Sequence, residues 1–493
     1  MGPNRLVRGA TRRCRDRTWA DTAGPRGHYA LLAVSPRRFV YVSGVAPPGR
    51  HASVQHRVRQ AFPLRGMMRW SLARMERASA DEIVRYQERR LRALVRLAAS
   101  RSDFYRSWFK ASGVDPGSIR TLQDLSKLPL LDRSHLVDQP DQFLVYPRRL
   151  TWVARSSGTS GRVVTVRRTP GSSAYELSAL QRQWGWFGVP ARPRSVLLRG
   201  NDPDPDGTGA LTREVPGARQ LVVSSYRLRQ EDVPRLLNEI RAFRPQVVEG
   251  WPSSITILAS LLRDRGERLP VTAVVTSSEV MTAEQLRLMS EVYGAPVVDH
   301  YGQTERVAMG GSCEAGGYHE FPDYGIVELI PVEGRKDRWE IVGTPLHNWG
   351  YPLFRYRTGD EVGPAATGPC PCGRAFRRLG QIDGRVEDVF TAANGQPLPL
   401  PGTVVDDLVG FREVQVAQLE PGRFEFRLVP ASGTDVAAGQ QQALQNVEKY
   451  FGPDQIVTFQ IMDHIPRQPS GKLKAAVRVD KPRAVQEGSH DPP

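Results

Sequence analysis

Between Ser195 and His300 short β-branched runs alternate with amphipathic stretches, and this alternation limits the fold more than any other feature of the chain. Ser195–Leu198, Gln246–Val248 and Val271–Val275 read as strands, Ser253–Arg263 and Ala283–Tyr293 as helices, and Val297–His300 as a returning strand. Strands separated by helices at this spacing need crossover connections, which are right-handed and lay helices over a mostly parallel sheet. The fold class is therefore α/β, with ligands expected at the carboxyl ends of the strands. After residue 385 the pattern changes. Gln415–Leu419 and Arg423–Val429 flank a Glu-Pro-Gly turn as a hairpin, a helix is expected over Val436–Tyr450, and a strand over Gln455–Met462. That is a second, small α+β domain. The expected organisation is a basic extension over 1–66, a large domain over 67–384, a small domain over 385–480 and a polar tail over 481–493. Ala80–Ser100 precedes the sheet as a helix with Ile83, Val84, Leu91, Leu94, Val95 and Ala98 on its apolar face.

Charge is concentrated at the start. The first 66 residues hold thirteen arginines, no lysine and two aspartates, out of a formal net charge of +16 for all 493 residues. A nucleic-acid footprint is one reading of such an arm. Its arginines are not interleaved with aromatics in a stacking pattern, and it is rich in Gly and Pro, so a disordered extension or an early start ahead of Met67, Met68 or Met75 is the expectation, with no nucleic-acid partner. No run nears the roughly 18–20 apolar residues of a membrane helix, so no membrane role is expected. Four cysteines, at 14, 313, 370 and 372, are too sparse for a disulfide scaffold and fit a reducing compartment such as the cytoplasm.

Five short motifs carry chemistry. Ser156-Ser157-Gly158-Thr159-Ser160-Gly161-Arg162 precedes the run Val163–Val166 and can turn tightly while offering hydroxyls to phosphate oxygens, although no Gly-Lys-Ser/Thr ends it. Alone it reads better as a Gly/Ser hairpin turn than as a phosphate loop. Tyr301-Gly302-Gln303-Thr304-Glu305 follows a strand, with a ring that can stack and a carboxylate that can hold magnesium. In Tyr356-Arg357-Thr358-Gly359-Asp360 a Gly turn presents an Asp able to accept from ribose hydroxyls. Asp383-Gly384-Arg385-Val386-Glu387-Asp388 sits where composition switches domain. Pro466-Arg467-Gln468-Pro469-Ser470-Gly471-Lys472 offers a lysine that can swing onto developing phosphate charge. Each also reads as an ordinary loop.

In this order the set resembles the adenylate-forming superfamily of acyl-CoA ligases, luciferases and adenylation domains. Tyr86–Leu91, Ser102–Arg106 and Leu128–Asp132 resemble its phenylacetate–CoA ligase and capsule-biosynthesis-like branch. The resemblance, over roughly residues 75–480, implies a large AMP-binding domain and a small mobile one. It implies that Ser156, Ser157, Gly158, Thr159, Ser160 and Gly161 form a phosphate loop, and that Ser278 and Glu279 line the adenine and acyl pockets. Tyr301 and Gly302 would meet adenine. Thr304 and Glu305 would bind the α-phosphate and Mg2+. Asp360, helped by Arg385, would hold the ribose, Glu387 would be the hinge, and Lys472 would bridge carboxylate and phosphate. Trp251 and Pro252 fall where relatives line the acyl pocket.

The implied reaction uses ATP to turn a carboxylic acid, an aromatic one among the options, into an acyl-adenylate and passes it to CoA. An amine or a carrier-protein thiol stays open as acceptor, because Val389–Gln396 replaces the usual Gly-rich segment with what reads as an Asn394-Gly395 hairpin turn. A homodimer is the assembly frequent in this branch. Cys313, His319, Cys370 and Cys372 make a four-ligand set with no open position, which is structural Zn2+ chemistry, found in some members of the branch.

Overall fold

The computed structural model describes residues 65–138, 140–155, 164–201, 203–204, 208–215, 217–225, 228–383, 390–398, 401–405, 408, 411–430, 434–466 and 475–479. The basic extension up to residue 64 and the tail from 480 lie outside these. Helix α1 (Arg65–Met75) buries Leu72 and Met75. Helix α2 (Ala80–Arg101) starts at a capping box in which Ser79 and Glu82 satisfy each other's backbone donors. Its buried stripe is Ile83, Gln87, Leu91, Leu94, Val95 and Ala98. Val84, expected on that face, is instead exposed, because the stripe steps from Ile83 by four residues onto Gln87. The buried amide there is satisfied by donating to the Pro322 carbonyl at 2.9 Å. Helices α3 (Asp103–Ala111) and α4 (Arg133–Asp138) follow.

Strands β1 (Trp152–Arg155) and β2 (Thr165–Arg168) pair as a hairpin and lead into α5 (Pro170–Trp186). The main sheet is then built from β3 (Ser195–Leu198), β4 (Thr212–Val215), β5 (Gln220–Val223), α6 (Val233–Phe243), β6 (Val247–Gly250), α7 (Pro252–Arg263), β7 (Ala273–Ser277), α8 (Ala283–Tyr293), β8 (Val297–Gly302), β9 (Met309–Ser312) and β10 (Tyr318–Glu320). Its eight strands run in the order β10-β9-β8-β7-β6-β3-β5-β4. The five from β8 to β5 are parallel, and antiparallel strands flank them on both sides. This is the α/β expectation realised. One face packs Val196, Val248 and Val274 against α6, α7 and α8. On the other, Val247, Val275 and Val298 pack with Trp184 of α5.

A four-stranded antiparallel sheet follows, from β11 (Gly325–Pro331), β12 (Trp339–Pro345), β13 (Tyr356–Val362) and β14 (Ile382–Asp383). It shares a core with α2 and α3, in which Tyr105, Phe143, Phe354 and Tyr351 are buried. The last part has its own core. Hairpin β15 (Phe390–Thr391) and β16 (Pro397–Leu398) turns at Asn394-Gly395 as expected, with Gly395 at φ +82°. Strands β17 (Phe411–Glu420) and β18 (Arg423–Pro430), helix α9 (Val436–Phe451), β19 (Ile456–Ile461) and β20 (Ala476–Arg478) complete it, in the sheet order β19-β18-β17-β20. Phe390, Phe424, Phe426 and Phe451 fill that core. None of the helices among the described residues is long and apolar enough to cross a membrane.

Candidate functional site

Strand β8 runs two residues further than its apolar pattern predicts and so carries Tyr301 to the carboxyl edge of the sheet. There the Tyr301 hydroxyl donates to Asp360 Oδ2 at 2.8 Å. Fifty-nine residues of chain separate the two; the fold closes them into one wall. The Gly turn expected to present Asp360 takes the form of a bulge inside β13. Val342 lies opposite Arg357, yet Glu340 lies opposite Glu361, so the stretch holding Thr358, Gly359 and Asp360 is in excess over the partner strand. An antiparallel ladder absorbs extra residues as a bulge, and Gly359 takes the left-handed conformation it needs, at φ +72°. The bulge is internally satisfied: Thr358 Oγ1 donates to the Ile341 carbonyl at 2.7 Å and accepts from Asp360 N–H at 3.0 Å, while Gly359 N–H reaches Glu340. The bulge re-aims Asp360 toward Tyr301.

Beside this pair, Glu305 is only 9% exposed and accepts from the Tyr356 hydroxyl at 3.0 Å. Burial first, and the facing carboxylate second, raise the Tyr301 and Tyr356 phenols, so both stay protonated donors at neutral pH. The carbonyl of Thr304 accepts from the Arg168 guanidinium at 2.6 Å, which ties β2 to the segment after β8. Arg306, at φ +58° and buried, ion-pairs with Glu176 and donates to Ser173 Oγ at 3.0 Å.

Beside β8 in the sheet, the ends of β6 and β7 carry further candidate residues. Ser278 has φ +75°, a conformation that a non-glycine residue holds only when its surroundings impose it. The next residue, Glu279, accepts from both Ser253 N–H and Ser253 Oγ at 2.8 Å, anchoring the first turn of α7. Trp251 caps that helix, Pro252 starts it, and the Trp251 N–H donates to the Leu198 carbonyl at 3.1 Å. The fold thus gathers Trp251, Pro252, Ser278, Glu279, Tyr301, Gly302, Thr304, Glu305 and Asp360 from the ends of β6, β7 and β8 and from the bulge in β13. Ser156, Ser157, Gly158, Thr159, Ser160, Gly161, Arg385, Glu387 and Lys472 lie outside the described residues.

A second cluster joins the β9–β10 turn to the segment before β14. The donor atoms of Cys313, His319, Cys370 and Cys372 all lie within 4.8 Å of one another. Cys313 Sγ and Cys370 Sγ are 3.6 Å apart, and Cys372 Sγ and His319 Nε2 are 3.5 Å apart. Tetrahedral bonds of ~2.3 Å to sulfur and ~2.0 Å to nitrogen demand separations of about 3.5–3.8 Å, so the donor spacing suits a zinc ion. His319 Nδ1 lies 2.9 Å from the Phe376 carbonyl; donation there leaves the Nε2 lone pair for a metal. A Cβ on Gly317 would stand 2.8 Å from Cys370 Sγ and 3.1 Å from His319 Nε2, so glycine keeps this cradle open.

No family model matches the chain. Over 333 residues it is 29% identical to a phenylacetate-coenzyme A ligase of Thermus thermophilus, covering 64% of this chain and 73% of that protein. An Escherichia coli phenylacetate-coenzyme A ligase is 26% identical over a similar span, with 74% of it covered. Protein CapK of Staphylococcus aureus is 19% identical over 411 residues, which is 80% of this chain and 89% of CapK. Among solved structures, a 2-hydroxyisobutyryl-CoA ligase, in complex with 2-HIB-AMP and CoA in the thioesterification state, superposes with a TM-score of 0.54 at 20% identity, covering 82% of this chain and 92% of that one. Its open conformation gives 0.51. The chain is similar in sequence to phenylacetate-coenzyme A ligases. It shares its fold with the 2-hydroxyisobutyryl-CoA ligase.

Two groups in this candidate site were not singled out from sequence. Tyr356 opens the very motif noticed for its Asp, but its contact with Glu305 crosses between sheets. Arg168 follows the phosphate-loop motif with no local signal that it reaches Thr304.

Proposed function

We propose that the chain activates a carboxylic acid with ATP, releasing pyrophosphate, and passes the resulting acyl group to the thiol of CoA. One observation carries this reading: the 2.8 Å bond from Tyr301 to Asp360, which sets a flat ring and a hydroxyl-accepting carboxylate side by side at the carboxyl edge of a parallel sheet. Those are the two groups a nucleoside requires. The similarity to phenylacetate-coenzyme A ligases supports the acid and the CoA.

A carboxylate acylates poorly because oxide is its leaving group; as an adenylate its leaving group is AMP. In this reading Tyr301 stacks on adenine beside Gly302, Ser278 and Glu279 frame the pocket, and Asp360 accepts from the ribose hydroxyls with help from Arg385. Residues 156–161 hold the outer phosphates. Two anions must approach in the first step, so Lys472 stands between the carboxylate and the α-phosphate with Thr304 beside it. Glu305, a buried oxygen donor, fits magnesium, which would offset triphosphate charge when bound. Glu387 serves as the hinge on which the small domain exchanges Lys472 for the acceptor thiol. Trp251 and Pro252 border the acyl group. Cys313, His319, Cys370 and Cys372 hold a structural zinc, and the reduced thiols suit a cytoplasmic protein.

Pyrophosphate release across a panel of acids tests the reading. Release should depend on acid and ATP and fall ~100- to 1,000-fold in Lys472→Ala. Unchanged release in that variant would remove the mechanism. Thioester formation with CoA, followed by mass spectrometry, should exceed hydroxamate formation with hydroxylamine; the reverse would make an amine the acceptor.

A further inference from the structure

Helix α1 has two unlike faces. On the inner one Leu72 and Met75 are buried and, with Met68, share an apolar cluster with Tyr175 and Ala179 of α5. Met67, Trp70, Arg74 and, in the turn that follows, Arg77 recur at intervals of three and four residues and so share the outer face. Met67 is 66% exposed and Trp70 67%, more than any other large apolar side chain among the described residues. Arg69, Arg74 and Arg77 are exposed with them, and the Arg74 guanidinium stands 5.9 Å from the centre of the Trp70 ring.

No acid balances these arginines on the outer face. The carboxylate of Glu76 is drawn inward, where it accepts from Trp186 Nε1 at 3.1 Å and lies 3.9 Å from Arg182. From Thr22 to Met75 the chain holds nine arginines and no Asp or Glu. An indole and a thioether held out in water, among cations alone, match a surface that is anionic outside and apolar beneath. In a lipid interface a Trp ring rests at the level of the headgroups. Arginine guanidinium groups there pair with phosphate while their stems lie on apolar surface. A nucleic-acid strand would ask instead for several rings along its path, and Trp70 is the one aromatic residue of α1.

We infer that α1 docks the protein on an anionic lipid surface, with Met67 and Trp70 entering the interface and Arg69, Arg74 and Arg77 on the headgroups. The association is peripheral, since no helix among the described residues is long and apolar enough to cross a membrane. It does not depend on the adenylation reading.

Co-sedimentation of the full chain with vesicles is the test. Vesicles of phosphatidylcholine with about 30% phosphatidylglycerol should bind at least about tenfold more protein than phosphatidylcholine alone. Raising NaCl from ~0.1 M to ~0.5 M should release most of it. The double variant Met67→Ser, Trp70→Ser should lose about tenfold in vesicle affinity, while its melting temperature and its pyrophosphate release without vesicles stay those of wild type. Arg69→Gln with Arg74→Gln should erase most of the preference for anionic vesicles. No binding to anionic vesicles, equal binding to neutral ones, or unchanged binding in the double variant overturns the inference and leaves adenylation standing. Tighter capture of a single-stranded oligonucleotide, abolished by the same double variant, makes the partner a nucleic acid and overturns lipid docking. A mass in solution that the double variant halves makes the partner a second copy and overturns it too.

Discussion

Asp360 and Tyr301 matter because each holds the other. Asp360→Ala removes an acceptor of charge-assisted hydrogen bonds, worth roughly 1.5–3 kcal/mol, so KM for ATP should rise about 10- to 100-fold in initial-rate assays. Tyr301→Phe keeps a ring and loses the bond at 2.8 Å; its KM for ATP should rise by less, near threefold to tenfold at about 1 kcal/mol. Equal losses in the two would mean that Asp360 acts only through Tyr301. His347 makes a separate residue-scale prediction. Its ring is buried, lies beside Tyr175 and Tyr324 with centroids 5.3 and 4.0 Å away, and has Nδ1 3.0 Å from the Tyr324 carbonyl. Desolvation drives its pKa from 6.5 to about 3. Between those values the unfolded chain binds the proton and the folded chain does not, so stability rises with pH there and is lost as pH falls below 6.5. The slope from this group is at most ~1.4 kcal/mol per pH unit. His347→Gln should flatten the urea midpoint between about pH 6 and about pH 4 by up to that amount, and an identical slope would show that His347 is charged when folded.

At the scale of elements, the bulge in β13 and the cradle around Gly317 depend on glycine for different reasons. Gly359 supplies a left-handed backbone, whereas Gly317 supplies room. Gly317→Ala should therefore lower the bound zinc measured by elemental analysis to well under one per chain. Chelation of the wild type should lower the melting temperature, because Cys313 and His319 lie on the β9–β10 hairpin while Cys370 and Cys372 lie some fifty residues later. If chelation removes no metal and moves no transition, the four side chains are only reduced thiols and an imidazole. Strand and helix positions were readable because their periods of two and 3.6 show in apolar spacing. Ser195–Leu198 and Ala283–Tyr293 match to the residue. Where polar residues finish an element the reading stopped early: β8 continues through Tyr301 and Gly302, and β7 through Ser277, because ladder hydrogen bonds ignore side-chain polarity.

Over the whole molecule, the core around Phe390, Phe424, Phe426 and Phe451 is separate from those of the two preceding sheets. Eight of the nine tryptophans lie from Trp70 to Trp349 and the ninth is Trp19, so tryptophan fluorescence does not report on the core around Phe424. Phe424→Ala removes a fully buried ring, a change that costs about 3–5 kcal/mol. Amide exchange in β17 and β18 should accelerate while the tryptophan melting curve stays in place, and acid-dependent pyrophosphate release should fall, since Lys472 lies in sequence between β19 and β20. A shift of the tryptophan transition by the same amount would mean that the two parts unfold as one. What the amino-acid order determined alone is local: which segments are strands or helices, where character changes near residue 385, and which short motifs carry hydroxyls, carboxylates and thiols. What tertiary structure decided is which of those groups meet. The bond from Tyr301 to Asp360 and the bond from Tyr356 to Glu305 both depend on segments brought together across long stretches of chain. Periodicity reports how a segment meets its own neighbours; only the closed fold sets the distance between one segment and another.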